Sequence, residues 1–136
     1  MRVKVYFNLH KKLFSVVALE GENKGRVINH VSSIDLSMPI FRVQKAGRER
    51  VLKEKKKNVH AYVMGYMCDL KSDTEIENIE WVEATYNPYK YSSFVSVKDE
   101  NAIRTCRYAR LSLKKGLMVS GDYICNTSKN YRYKRG

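Results

Sequence analysis

Two stretches of the chain concentrate side chains able to bind or transform an anion. The first covers residues 46–61, Ala-Gly-Arg-Glu-Arg-Val-Leu-Lys-Glu-Lys-Lys-Lys-Asn-Val-His-Ala. On a helix, Arg50, Lys53 and Lys57 fall three and four apart and share a face, with Arg48, Lys55 and Lys56 beside it. Such a row spans about 10 Å at about 1.5 Å per residue, enough to follow about two or three phosphates. Asn58 and His60 stand where the helix hands over to a strand, a place where side chains can point into a site. The alternative for the same residues is a solvated helix face with Glu49–Lys53 and Glu54–Lys57 pairs. The second stretch covers residues 86–95, Tyr-Asn-Pro-Tyr-Lys-Tyr-Ser-Ser-Phe-Val. Asn87-Pro88 initiates a turn. Around it, Tyr86 and Tyr89 offer ring faces to bases, Lys90 adds charge, and Ser92 and Ser93 can donate to phosphate. The alternative here is a tyrosine-rich turn that packs on the sheet. A specific ligand needs charge and stacking at one place, so the helix and the turn are expected to converge, with Asn58 and Ser92 or Ser93 giving directional hydrogen bonds.

Catalytic patterns are sparse. His10, His30 and His60 are the three histidines. Two of them meeting could run general acid–base chemistry on a phosphodiester, with His60 the candidate and His10 its partner. A lone histidine on a strand is otherwise a hydrogen-bonding or packing residue. Glu54-Lys55-Lys56 after Asp35 mimics the acid, Glu-x-Lys pattern of metal-dependent nucleases, but that pattern needs a strand and here stands in a lysine-rich helix. No Gly-x-x-x-x-Gly-Lys loop, His-Glu-x-x-His site or Gly-x-Ser-x-Gly elbow occurs. Cys68, Cys106 and Cys125 are odd in number and widely spaced, which argues against a disulfide framework or a Cys-x-x-Cys site and for a reducing compartment. Cys106 and Cys125 read as buried strand residues rather than nucleophiles. No metal and no cofactor is expected.

The elements that must position these groups are mostly strands. The chain has 136 residues, one domain's worth, and its 43% hydrophobic and 29% charged residues exclude global disorder. No apolar run approaches the ~20 residues of a membrane helix, and the N-terminus lacks the apolar core of a signal peptide. Lys and Arg number 26 against 14 Asp and Glu, a net charge of +12 that calls for an anionic partner. Basic residues crowd positions 42–57, acidic ones positions 69–83, and residues 129–136 form a basic tail that reads as a mobile or ligand-ordered arm. Alternation predicts a strand over 2–9 with a hairpin partner over 13–19, short strands over 26–31 and 34–36, and an interruption at Pro39. A helix is predicted over 44–57, capped by Asn58, with Gly47 costing it about 1 kcal/mol relative to Ala. Further strands are expected over 59–67, 80–86, 94–98, 105–113 and 117–125, the last two joined by a Lys114-Lys115-Gly116 turn. The sum is a single α+β domain over 1–128, a mostly antiparallel sheet with one basic helix, followed by the tail.

Gly47-Arg48-x-Arg50-Val51-Leu52 through Lys57-Asn58-Val59-His60-Ala61, the opening Val5-Tyr6-Phe7-Asn8-Leu9-His10-Lys11-Lys12, and the 86–95 turn together resemble a family of small proteins of tailed bacteriophages, over most of residues 2–125. The resemblance implies an infected bacterial cytoplasm, and action on host nucleic acid or against host defence. The leading expectation is therefore a non-enzymatic protein that binds nucleic acid or a nucleotide-type defence signal, with no membrane partner. The alternatives are a metal-independent nuclease or cyclic-nucleotide phosphodiesterase using His60, and an inhibitor that docks its basic face on an acidic host protein.

Overall fold

The computed structural model describes residues 1–70 and 79–125. In chain order these form β1 (Arg2–Asn8), β2 (Leu13–Ala18), β3 (Val27–Val31), β4 (Ser33–Val43), α1 (Lys45–Glu54), β5 (Ala61–Cys68), β6 (Trp81–Thr85), β7 (Val95–Ser96), β8 (Ile103–Thr105), β9 (Tyr108–Ser112), β10 (Gly116–Ser120) and β11 (Ile124–Cys125). The strands join in one sheet in the order β3-β2-β1-β5-β4-β9-β10-β6-β7, with β8 pairing β4 and β11. Every described pairing is antiparallel. Much of the expected acidic segment, within 71–78, and the whole basic tail lie outside the described residues.

The first hairpin follows its alternation. Val3 pairs with Ala18 and Asn8 with Leu13, and Val3 and Val5 are fully buried between half-buried neighbours. The Asn8 side-chain oxygen closes the turn by accepting from the backbone N–H of His10 (2.9 Å) and Lys11 (3.0 Å). The β9–β10 hairpin turns at Lys114-Lys115, and Gly116 takes the left-handed φ of +77° that a side chain would resist.

Three expectations need correction. Pro39 does not end its strand. β4 runs through it, and the register against β5 shifts between Ser37 and Ile40. A bulge there removes the rung for which proline has no donor, and the Pro39 carbonyl accepts from the Thr105 hydroxyl (2.7 Å). The helix stops at Glu54 rather than at residue 57. Lys55, not Asn58, is its cap, at φ 60°, with its N–H bonded to the Val51 carbonyl (2.9 Å). The cause is tertiary: Val43 pairs with Ala61, and Gln44 donates to the His60 carbonyl (2.7 Å). Residues 45–59 must leave and re-enter the sheet at adjacent rungs, so the chain has to reverse and return rather than extend the helix. Finally, the strands expected over 105–113 and 117–125 both break: the first at Cys106-Arg107, where the Ser120 hydroxyl accepts from the N–H groups of Arg107 and Tyr108 (both 3.1 Å), and the second after Ser120, with Ile124–Cys125 pairing β8 instead.

The sheet is curled. Its inward residues form one cluster that includes Val5 and Val16 from one end of the strand order and Ala84 and Val119 from the other. Phe7 and Phe14 line the same cavity, of about 380 Å³, as Tyr86 and Leu117, although their strands are not neighbours. One face is thus an interior and the other is convex. Leu36, fully buried, sits in that interior, whereas Met38, two residues on, is 62% exposed. Leu36→Ala is expected to cost about 2–5 kcal/mol in urea unfolding, and Met38→Ala within about 0.5 kcal/mol. Equal midpoints for the two variants would contradict the assignment of faces.

Candidate functional site

Arg48 ties the helix to the tyrosine turn. Its guanidinium enters the turn and Nε donates to the carbonyls of Pro88 (3.1 Å) and Tyr91 (2.9 Å). The residue is only 9% exposed. The turn is itself closed by Asn87, whose side-chain oxygen accepts from Tyr89 N–H (2.9 Å) and whose carbonyl accepts from the N–H groups of Lys90 (3.0 Å) and Tyr91 (2.8 Å). An arginine suits the role because its planar fork offers five donors and no acceptor.

A polar chain continues from the same guanidinium. The Arg48 guanidinium acts on the Tyr86 phenol, favouring its ionised form, and the phenol oxygen lies 2.6 Å from His60 Nε2. His60 Nδ1 lies 3.0 Å from the Asn58 carbonyl. A carbonyl only accepts, so the proton belongs on Nδ1, and Nε2 accepts from the Tyr86 hydroxyl. Burial pushes the Tyr86 hydroxyl up to about 12 from 10.0, although Arg48 pulls it the other way. Tyr86 also meets Phe94 (ring centroids 5.3 Å apart), and Phe94 meets Phe41 (5.5 Å). Turn, helix and core are therefore one unit. Gly47 makes the contact possible: a Cβ there would stand 2.5 Å from the His60 Cβ.

The structure thus brings the helix and the turn together, through buried groups. Arg48 is not part of an exposed row, and His60, 6% exposed, points inward with both ring nitrogens engaged. That geometry gives His60 a structural role. Arg50 and Lys53 are exposed on α1, while Lys57 has left the helix and is exposed in the return segment. Lys55 Nζ lies 5.8 Å from the ring centroid of Tyr89, which is 52% exposed. Lys90 is exposed and sits over Tyr91 (5.5 Å). Lys57 and Asn58 line a cavity of about 430 Å³ with Tyr6 and His10. Ser92 is half-buried. Ser93 belongs to a different cavity, of about 540 Å³, with Arg42 and Arg104, so it does not join the lysines. Tyr6 and Arg104, not singled out in the sequence, enter these two linings.

The other chemical candidates are also engaged. His30 Nδ1 is 3.0 Å from the Ser15 hydroxyl. Asp35 holds Arg110 through two contacts, 2.7 and 3.2 Å. Cys106 is buried, its thiol pushed up to about 11 by desolvation; of Cys125 only the backbone is described. Among the described residues no cluster of three metal-ligating side chains occurs, and no helix is long and apolar enough to cross a membrane.

Gly47→Ala should lower stability by about 1–3 kcal/mol, although alanine is about 1 kcal/mol better in a helix, because the overlap with His60 outweighs propensity. A stabilised variant in thermal melts would refute the close approach. The Tyr86 hydroxyl titrates higher in the folded chain than its ordinary 10.0, so its contribution to stability is complete below pH 10 and is lost as pH rises toward about 12. Wild type should therefore lose more stability than Tyr86→Phe across that window; parallel losses in alkaline unfolding curves would contradict it.

The family model described as Mycobacterium phage L5 gene 82 protein matches residues 1–119. The Gene 82 protein of Mycobacterium phage L5 is 38% identical over 101 residues, which is 70% of this chain and 77% of that relative. No solved structure matches the chain. The match spans the helix, the turn and the whole Arg48–Tyr86–His60 junction, and on it the chain belongs to the bacteriophage family of the Mycobacterium phage L5 gene 82 protein.

Proposed function

We propose that this phage protein binds nucleic acid through the surface where the end of α1 meets the tyrosine turn. The observation that carries the reading is the placement of Lys55 beside the exposed ring of Tyr89, at 5.8 Å, on a turn that Arg48 fixes to the helix. The left-handed break at Lys55 takes Lys55, Lys56 and Lys57 off the helical repeat and presents all three to solvent. Arg50 and Lys53 extend the basic ridge along α1. Ammonium groups attract phosphate without regard to sequence, and an adjacent ring face adds stacking. A ridge of exposed cations along the end of α1 favours a polymer of phosphates over a single nucleotide. In an infected cell such a protein would engage host or phage nucleic acid in the cytoplasm, including nucleic acid on which host defence acts.

Binding should weaken steeply with salt, by about 0.7–0.9 in log affinity per unit log salt for each phosphate contacted. Replacing Lys55, Lys56 and Lys57 together by Gln should reduce that slope by about 2 to 3. Fluorescence titrations of labelled DNA and RNA over a salt series measure both quantities. A flat salt response in the wild type, or an unchanged slope in the triple variant, would count against this surface, and binding confined to acidic polypeptides would favour a protein target instead.

A further inference from the structure

The convex face of the sheet is chemically distinct. Val3 and Val5 of β1 and Val63 and Gly65 of β5 point into the core. Successive side chains on a strand alternate, so Arg2, Lys4 and Tyr6 of β1 and Tyr62, Met64 and Tyr66 of β5 face outward. The register sets cations beside rings. Arg2 pairs with Tyr66 and Lys4 with Met64 on one side of β5, and Arg42 pairs with Tyr62 on the other. Lys4 Nζ lies 5.0 Å from the Tyr62 ring centroid. Tyr66 is 47% exposed, a large ring left at a solvent surface.

Charge on the β1–β5 part of this face has one sign, while the exposed Glu83 of β6 lies farther along the same face, beyond β4, β9 and β10. No outward residue of β1 or β5 is acidic, and on β4 the outward Asp35 is held bidentately by Arg110. The face also connects with the return segment of the helix, because Tyr6 lines one cavity with Lys57 and Asn58. From Tyr66 to Tyr62 the strand advances roughly 13 Å at about 3.3 Å per residue, a length on which sheet platforms stack about two or three bases.

We propose that this convex face is a stacking platform for single-stranded nucleic acid, with Tyr66, Tyr62 and Tyr6 meeting bases and Arg2, Lys4 and Arg42 meeting phosphates. The inference rests on the nucleic-acid reading above and adds to it the strand form and the path. Unpaired bases have free faces for tyrosine, whereas a duplex keeps its base faces stacked inside. An acidic protein would satisfy the cations but gives no reason for rings interleaved with them.

Fluorescence anisotropy with the full chain and a labelled oligonucleotide of about 12 nucleotides, single-stranded or annealed, tests the platform. The wild type should prefer the single strand. Tyr66→Ala should weaken single-strand binding about tenfold and leave duplex binding unchanged, while Tyr66→Phe, which keeps the ring, should bind as the wild type. Because Tyr66 is solvent-exposed, the alanine variant should melt with the wild type, and Tyr62→Ala provides a second reading. If both alanine variants bind single strands like the wild type while the triple lysine variant loses affinity, the platform is wrong and the lysine surface stands. If the tyrosine variants lose affinity and the lysine variant does not, the platform stands and the lysine surface falls. Equal or tighter binding of duplex by the wild type overturns the platform, and absence of binding to either form at low salt overturns both.

Discussion

The buried guanidinium of Arg48 is the constraint on which the arrangement of helix, turn and strand depends. Removing a cation from water costs several kcal/mol unless its donors are satisfied. Here the carbonyls of Pro88 and Tyr91 accept from its Nε, and the Tyr86 phenol feels its charge. The Pro88 and Tyr91 carbonyls come from residues 40 and 43 positions away, so meeting them fixes the turn against α1. The polarity then passes along the chain, from Arg48 to the Tyr86 oxygen, from the Tyr86 hydroxyl to His60, and from His60 to the Asn58 carbonyl. Each member has a donor facing an acceptor, so the network holds only when all members are present. Gly47 completes it by letting the helix backbone approach His60. A lysine at position 48 would bring a point charge with rotating donors, unable to keep the fork that serves the turn.

The curled sheet supplies the second constraint. Closing the ends of a long strand order toward one interior requires small and branched side chains inside, and Val3, Val5, Val16, Val63, Ala84, Ala109 and Val119 meet it. The same alternation fixes what lies outside. With the interior apolar, tyrosines, lysines and arginines collect on the convex side, where long side chains can splay. Interior packing and exterior chemistry are thus two readings of one periodicity.

Much of this was legible in the sequence. Alternation over 2–9 and the apolar run over 13–19 behind a polar break identified the first hairpin, and Lys114-Lys115-Gly116 marked the β9–β10 turn correctly. The placement of one helix between two strands also followed from pattern. The end of that helix did not, because nothing in Lys55-Lys56-Lys57-Asn58 records that Gln44 must bond His60 and so set the length of the connection. Nor did the continuation of β4 through Pro39, since the bulge that absorbs the proline is defined by its partner strand. At the site, residue types pointed to the helix and the turn, but their local spacing could not separate Arg48, which is buried, from Arg50, which is not. The pairing of Arg2 with Tyr66 depends on strand register across distant segments. Tyr6, Tyr62 and Tyr66 were visible as alternating positions, yet only a sheet order makes them one surface.

The chain divides its cations by solvation. The arginine at the junction carries hydrogen bonds in a dry setting, where a weakly hydrated planar group is at its best. The three consecutive lysines stay in water, where a strongly hydrated ammonium keeps its hydration. Three like charges in a row repel one another, and exposure to water and salt screens that repulsion. The left-handed turn at Lys55 ends the helix there and leaves all three exposed. That exposure has a chemical consequence. Cations exposed to solvent form a diffuse positive field, and a diffuse field suits a chain of phosphates better than a single compact anion. The break that sequence patterning missed is therefore also the feature that gives this end of the molecule its electrostatic form.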